Sequence, residues 1–177
     1  MHVRRAGHLV ARPLNCGVRR LLMRDQIDQC RYLNLRELVE PEDNCLRLVV
    51  EELHVGDEAE ELVVGESSFG LTHKIEHTEA CRVFEIYWDM YVAYSVLNES
   101  YARADDRESF TGHRVRLYSK SRFLEYVAGQ TWADDQYPGP SKHTAIVCES
   151  HIVHVISVAE PQVRLLKPGQ PRAVPDA

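Results

Sequence analysis

The chain has 177 residues, of which 44% are hydrophobic and 27% are charged, and its formal net charge is −6. This length suits one domain of ordinary size, and the composition is typical of a soluble globular protein rather than of a disordered chain, a collagen or a repeat fibre. No stretch approaches the run of about 18 uncharged apolar residues that a membrane span needs, so the sequence predicts no transmembrane helix.

Charge is unevenly distributed along the chain. Residues 1–24 contain six arginines and no acid, so residues 25–177 hold the remaining 15 bases against 27 acids, a net charge of −12. Arginines interrupt the apolar runs at this end, which argues against a secretory signal, and Pro13 would break the amphipathic helix of a mitochondrial presequence. A basic arm that binds nucleic acid is one interpretation. The favoured one is a leader over residues 1–23 that lies outside the fold, because the acidic, periodic pattern begins directly after it.

The five cysteines are odd in number, widely spaced and without a CxxC pair. This pattern argues against a secreted disulfide framework and against a zinc knuckle. The sequence therefore predicts reduced cysteines, mostly buried in strands, a cytoplasmic location and no cofactor. The cysteines are Cys16, Cys30, Cys45, Cys81 and Cys148.

The first half of the chain predicts a hairpin. Residues 27–55 follow a strand pattern that is broken once, at residues 40–44, where proline, aspartate and asparagine indicate a turn. Two such runs around a five-residue turn predict a β-hairpin that ends at residues 56–58. Residues 62–64 predict a further short strand, and residues 65–80 predict a loop with one edge strand.

The centre of the chain gives the strongest β signal. In residues 81–97, CRVFEIYWDMYVAYSVL, alternate positions from Phe84 to Val96 are apolar, as expected for a half-buried strand. A single strand of this length would exceed about 50 Å, which is longer than most strands. A bend, bulge or hidden turn is therefore expected near residues 88–90.

One short helix is predicted after a strand at residues 113–118. Ser119 or Ser121 can cap it, and Phe123, Leu124 and Val127 share one of its faces. Gly129 is expected to end it.

The sum is seven or eight strands and one short helix. We expect a mainly β fold, bordering on α+β, built as an antiparallel sandwich or a strongly curved sheet. One domain is expected over residues 24–167, followed by a proline-rich tail over residues 168–177 that is predicted to be disordered.

Tyrosines and carboxylates share the second face of the predicted central strand: Glu85, Tyr87, Asp89 and Tyr91. Tyrosine is favoured at binding surfaces because it is rigid and amphipathic, whereas an ordinary solvent face is the competing interpretation. Together with Trp132, these are the predicted binding residues. The acidic body predicts a basic protein surface as partner and disfavours nucleic acid, except through the N-terminal arginines.

A metal-dependent or acid/base enzyme is an alternative. Its site would lie near the long loop 130–143 and the strand residues 144–157, with His143, Glu149 and His151 as metal ligands. The sequence contains no glycine-rich phosphate loop, no GxSxG and no HExxH, which favours a non-enzymatic protein.

Strand parity argues against two simpler sites in this region. His151 and His154 are three positions apart, so a strand would place them on opposite faces and they would not bind one metal. Cys148 and His151 are also of opposite parity, which favours a buried cysteine over a nucleophile. A second alternative is a β domain that binds a small ligand in a pocket lined by Trp88, Tyr94 and Trp132.

Three stretches, FEIYWDMYVAYSVLNESY, YSKSRFLEYV and HTAIVCESHIVHVISVAEP, resemble small uncharacterised bacterial proteins rich in β-structure. In those proteins a tyrosine-rich strand precedes a short SxFLxxV helix and a HIVxVIS-like finish. The resemblance covers about residues 81–161. It implies a bacterial, cytoplasmic protein and carries no established activity. Proteins of this kind include many adaptor and immunity-type proteins, so the sequence favours a non-enzymatic protein-binding module.

Overall fold

The computed structural model describes residues 24–166, and the predictions for the leader 1–23 and the tail 168–177 lie outside this range. Within it, ten strands form two antiparallel sheets of five strands each, a sandwich with one short helix, as the sequence predicts apart from two or three additional strands. In chain order the strands are β1 (Tyr32–Val39), β2 (Leu46–Val64), β3 (Ser67–Glu76), β4 (Val83–Trp88), β5 (Ala93–Asn98), β6 (Ser109–Thr111), β7 (Val115–Lys120), β8 (Lys142–Val147), β9 (His151–Ser157) and β10 (Gln162–Leu166).

The strand order separates the chain into two halves that meet in the core. The first sheet has the order β1-β2-β4-β10, with β3 paired to the far part of β2, and the second has the order β5-β9-β8-β7-β6. A 3-10 turn, Glu99–Tyr101, follows β5, and the helix Arg122–Gln130 lies between β7 and β8. No helix within residues 24–166 is both long and apolar enough to cross a membrane.

The core forms between the inner faces of the two sheets. Alternate residues of a strand point to the same face, so each strand contributes every second side chain. Burial of each large aliphatic or aromatic side chain contributes about 1.5–3 kcal/mol to folding. The fully buried members of this core include Leu46, Leu48, Val50, Phe84, Ile86 and Trp88 from the first sheet and Ile146, Val153 and Val155 from the second.

The central apolar run divides where the sequence predicts a break. β4 ends at Trp88 and β5 begins at Ala93. The N–H of Tyr91 still donates to the carbonyl of Asn44 at 3.1 Å, whereas that of Val92 donates to Ile156 of β9 at 2.7 Å. One residue therefore carries the chain from the first sheet to the second.

The first described residues are helical, contrary to the predicted strand. Residues 24–28 form a helical turn, in which Ile27 and, three positions later, Cys30 enter the core. Spacing of three suits one face of a helix. One carboxylate oxygen of Asp28 accepts the backbone N–H groups of residues 113–115 at 2.6, 2.6 and 3.0 Å. This contact fixes the turn against the start of β7.

The first hairpin is confirmed, but its end is not. β1 and β2 pair antiparallel around the predicted turn, in which Asn44 has a positive φ of 65°. β2 does not stop at residues 56–58 and instead continues to Val64, because β3 supplies its backbone partners there. The acidic residues of this segment, although not core, therefore lie in a strand.

The predicted helix is present with Ser121 as its N-cap. The Ser121 hydroxyl accepts the N–H of Leu124 at 3.0 Å. Gly129 does not end the helix, which continues to Gln130. The C-cap is Thr131, whose hydroxyl donates to the carbonyl of Val127 at 2.9 Å and so stabilises the last turn.

Four cysteines of the described chain are free and buried, as predicted for reduced thiols: Cys30, Cys45, Cys81 and Cys148. They lie beside the strand ends rather than inside the strands. Cys16 lies outside the described residues.

Gly112 and Gly129 provide a matched pair of stability tests. Gly112 has φ +93°, and an added Cβ would lie 2.1 Å from the carbonyl oxygen of Val115, whereas one at Gly129 would meet nothing within 4 Å. We expect Gly112→Ala to lower the free energy of unfolding by at least about 2 kcal/mol. Gly129→Ala should raise it by about 0.5–1 kcal/mol, because alanine favours a helix. Urea unfolding measures both, and equal effects of the two substitutions would contradict the assigned backbone.

Candidate functional site

The most exposed part of the described chain is a two-stranded ribbon, residues 54–76. β1 pairs with β2 only as far as Leu53, and β4 only as far as Glu51. From His54 onwards β2 pairs with β3 alone, and β3 has no other partner strand. Nearly all side chains of the ribbon are exposed. The ribbon is therefore a projection from the first sheet with open backbone edges.

An apolar stripe runs along this ribbon. Leu71 and Ile75 share one face of β3 with His73 between them, and Val55 lies opposite Ile75 on the same face. Phe69 follows beyond Gly70. Leu71 is 75% exposed and Phe69 65% exposed. These side chains do not pack against the core.

The ribbon is also strongly acidic. Residues 54–76 contain six carboxylates and one lysine, a net charge of −5 with histidines neutral. Lys74 pairs with Glu60 at 2.7 Å, which raises the pKa of the lysine through that hydrogen bond. The carboxylates are Asp57, Glu58, Glu60, Glu61, Glu66 and Glu76.

Glu85 and Tyr87 lie on the outer face of the first sheet, but they do not form the open surface that the sequence predicts. Glu85 is 2% exposed and Tyr87 is 9% exposed. Arg47 donates to Glu85 at 2.7 Å, and Arg164 of β10 donates to its other oxygen. A hydrogen bond with Cys45 raises the pKa of Tyr87 to about 12. Their neighbours thus give both residues a structural role.

The other predicted binding residues occupy separate places. The Tyr91 hydroxyl donates to Glu40 at 3.0 Å, and the Tyr94 hydroxyl donates to the same oxygen at 2.8 Å. Asp89 accepts from Gln162 at 3.3 Å. Trp132 follows the helix and is 97% exposed. Because Trp88 is buried in the core, Trp88 and Trp132 cannot line the ligand pocket that the sequence suggests.

The predicted metal ligands His143, Glu149 and His151 are not brought together. Within residues 24–166 no group of three or more histidine, cysteine, aspartate or glutamate side chains is placed to hold a metal ion. Glu149 instead pairs with Arg114 at 3.4 Å. Cys148 is 1% exposed, and burial raises the pKa of its thiol to about 12. This environment fits the expected buried cysteine.

His143 takes part in an arrangement that the sequence does not reveal. Its Nδ1 lies 2.6 Å from the Ser121 hydroxyl, and its Nε2 lies 3.0 Å from Nδ1 of His154. Tyr118 stacks on the His143 ring with centroids 4.0 Å apart. His143 is 2% exposed. Three polar groups therefore form one chain of hydrogen bonds from the helix cap to β9.

The protons of this chain can run in either direction, because a hydroxyl oxygen that accepts the N–H of Leu124 still has a second lone pair. We assign the Ser121 hydroxyl as the donor to His143 Nδ1, since the reverse direction removes this acceptor for the hydroxyl proton. His143 then carries its proton on Nε2 and donates it to His154 Nδ1, which leaves the proton of His154 on Nε2. Both rings are neutral in this arrangement. Burial lowers the pKa of His143 to about 3 and also lowers the pKa of His154.

No family model, curated protein or solved structure matches the chain.

A substitution of Glu85 tests whether this residue stabilises the fold or serves only in recognition. Glu85→Ala would remove one of the two carboxylates that bond the buried guanidinium of Arg47 and leave Glu37 at 3.0 Å, and the loss of such a charged hydrogen bond costs about 1.5–3 kcal/mol. We expect this loss in the free energy of unfolding. The control is Glu58→Ala, an exposed residue whose substitution should change the stability by less than about 0.5 kcal/mol. Urea unfolding is the measurement, and a similar small change at both positions would contradict a structural role for Glu85.

The histidine chain predicts loss of stability in acid. His143 has a pKa of about 3 in the folded protein, below its ordinary value of 6.5. Its contribution is therefore complete above about pH 6.5 and is lost as the pH falls from there towards 3, by about 1.4 kcal/mol per pH unit. We expect wild type to lose about 1–3 kcal/mol more than His143→Gln between pH 7 and pH 4.5, measured by urea unfolding.

Nitrogen-15 spectra of the imidazoles test the proton positions directly. Both buried rings should be neutral Nε2–H tautomers at pH 7, and His143 should remain so at pH 5. An Nδ1–H signal from His143 would contradict the assigned direction of the chain. If wild type and His143→Gln lose the same stability between pH 7 and pH 4.5, the lowered pKa of His143 is contradicted.

Proposed function

We propose that the protein is a non-enzymatic protein-binding module, of the adaptor or immunity type, that binds a basic protein surface through the ribbon of residues 54–76. The observation that carries this proposal is the exposed apolar stripe on a two-stranded projection. A cytoplasmic location fits the four free cysteines of the described chain. The resemblance to small bacterial β-rich proteins supports a bacterial origin.

The physical support begins with the ribbon itself. A two-stranded hairpin without further partners is marginally stable in water. Exposed apolar side chains and open strand edges add a free-energy cost that a bound partner removes, and contiguous exposed apolar surface marks interaction sites. Leu71 and Phe69 are the most exposed apolar side chains of the ribbon. They are therefore the expected centre of the interface.

Charge selects the class of partner. A ribbon with a net charge of −5 repels a second copy of itself and repels nucleic acid. A basic protein surface is attracted to it, and complementary charge raises the association rate and the specificity of binding. Burial of the apolar stripe then supplies the affinity. The partner is expected to place an apolar patch within a rim of lysine or arginine.

Two pairs of substitutions test this function. Leu71→Ser removes the centre of the stripe, and its control Met90→Ser changes an apolar side chain that is also exposed, 61%, but lies outside the ribbon. Glu58→Gln with Glu66→Gln makes the ribbon less acidic by two negative charges. Its control is Glu79→Gln with Asp135→Asn, which removes two exposed acids elsewhere. All four variants should retain wild-type stability within about 1 kcal/mol.

The measurement has two steps. Proteins captured from a bacterial lysate by wild type and by each variant are compared, and the captured partner is then purified and titrated against all four variants. We expect a basic partner whose affinity falls about tenfold or more with Leu71→Ser, falls with the less acidic ribbon and weakens with added salt. Unchanged affinity for both ribbon variants, an acidic partner, or a homodimer that buries the ribbon would each contradict the proposal.

A further inference from the structure

A groove of about 590 Å³ lies on the outer face of the second sheet, away from the ribbon. It is bounded by β5, by the segment that joins β5 to β6, and by β7 and β9. Its floor is apolar, because Val147 and Ile152 form a second small buried cluster on this face with Tyr118 packed against it. Phe110 and Phe123 also line the groove. The volume suits a small molecule.

Arg116 brings a positive charge to this apolar groove. Its guanidinium lies over the ring of Phe110, 4.5 Å from the centroid. Its Nε is buried and has no hydrogen-bond partner among the described residues. Because Nε is closed to solvent, a ligand in the groove would meet the guanidinium at its terminal Nη groups. The planar guanidinium is suited to a carboxylate, with which it can form two parallel hydrogen bonds.

His154 brings a second donor. The ring lines the groove, and its Nδ1 is occupied by His143. With the Ser121 hydroxyl assigned as the donor to His143, His154 carries its proton on Nε2, the ring nitrogen that is left for the groove. A fixed N–H donor beside a guanidinium favours an oxygen acceptor with negative charge.

The carboxylates around the groove limit the charge of the ligand. Asp105 pairs with Arg107 at 2.7 Å and with Arg122 at 3.3 Å. The lining residues hold two arginines and three carboxylates, and one of these carboxylates, Asp105, is neutralised by Arg107 and Arg122 from outside the lining. Arg116 can balance a single negative charge, whereas a dianion would meet repulsion from Glu99 and Glu108. The remaining lining charges are Glu99, Arg103 and Glu108.

We infer that this groove is a binding site for a small monocarboxylate with an apolar body. The carboxylate bonds to the Arg116 guanidinium and to Nε2–H of His154, and the apolar body lies on Val147 and Ile152 beside the two phenylalanines. Ser121 and His143 are positioning residues, because they act only by holding the proton of His154 on the groove side. The site is separate from the ribbon and does not depend on the proposed protein partner.

Octanoate is the probe, titrated into the full-length protein by calorimetry at pH 7. Octanamide has the same apolar body without charge, and octanedioate adds a second carboxylate. We expect octanoate to bind about tenfold more tightly than either. Arg116→Gln should weaken octanoate binding about tenfold, whereas Arg36→Gln, an arginine of β1 whose side chain is 60% exposed, should not change it.

Nitrogen-15 spectra provide a second readout. Octanoate should shift the Nε2–H signal of His154, and octanamide should shift it less. The probe comparison needs only wild-type protein, so it holds even if Arg116→Gln folds poorly. The inference is overturned by equal binding of octanoate and octanamide, by tighter binding of octanedioate, by wild-type affinity in a folded Arg116→Gln, or by no octanoate binding up to about 10 mM.

Discussion

The two sheets share one apolar core, and alternation along a strand gives that core only one face of each strand. Phe84 and Val153 face each other's sheets across it. The residues between the core positions must lie on the outer faces of the sheets, and polar groups there need hydrogen-bond partners when other elements cover them. Glu85 finds arginines on the first sheet. His154 finds a second histidine on the other. The buried ion pairs and the histidine hydrogen bonds therefore lie on the outer faces of the two sheets.

From that constraint the two candidate sites arise in different ways. The ribbon begins where β1 and β4 end as partners of β2, so it is a consequence of unequal strand lengths within the first sheet. The groove depends on a helix cap, because the hydroxyl of Ser121 accepts the N–H of Leu124 and, as the assigned donor to His143, orders the protons of two imidazoles. One is a surface made by backbone pairing, and the other is a cleft whose donors are set by local hydrogen bonding.

Patterns among neighbouring residues predict much of the fold, but they do not predict which strands far apart in the sequence pair with each other. The turn before β2, the division of the central run and the Ser121 cap each depend on a few neighbouring residues. The ribbon depends on β3 pairing with acidic residues whose polarity suggests a loop, because backbone hydrogen bonds rather than burial stabilise a projecting strand. Burial of Glu85 depends on Arg164, which is 79 positions away. His143 meets His154 only through the register of β8 and β9, in which Ala145 lies opposite His154. The contact between the two histidines could have been predicted from the sequence if the turn between β8 and β9 had been placed correctly.

The buried thiols make the opening of the sandwich observable. Burial raises the pKa of Cys30 to about 11 and that of Cys148 to about 12, and only a thiolate reacts rapidly with alkylating reagents. Both side chains are 1% exposed, so each is labelled only when its surroundings separate. Cys30 lies before the first strand and Cys148 lies in the turn after β8. Arg114 lies beside both cysteines, so their labelling rates report how the core opens where the chain before β1 meets the turn after β8, within a single sample.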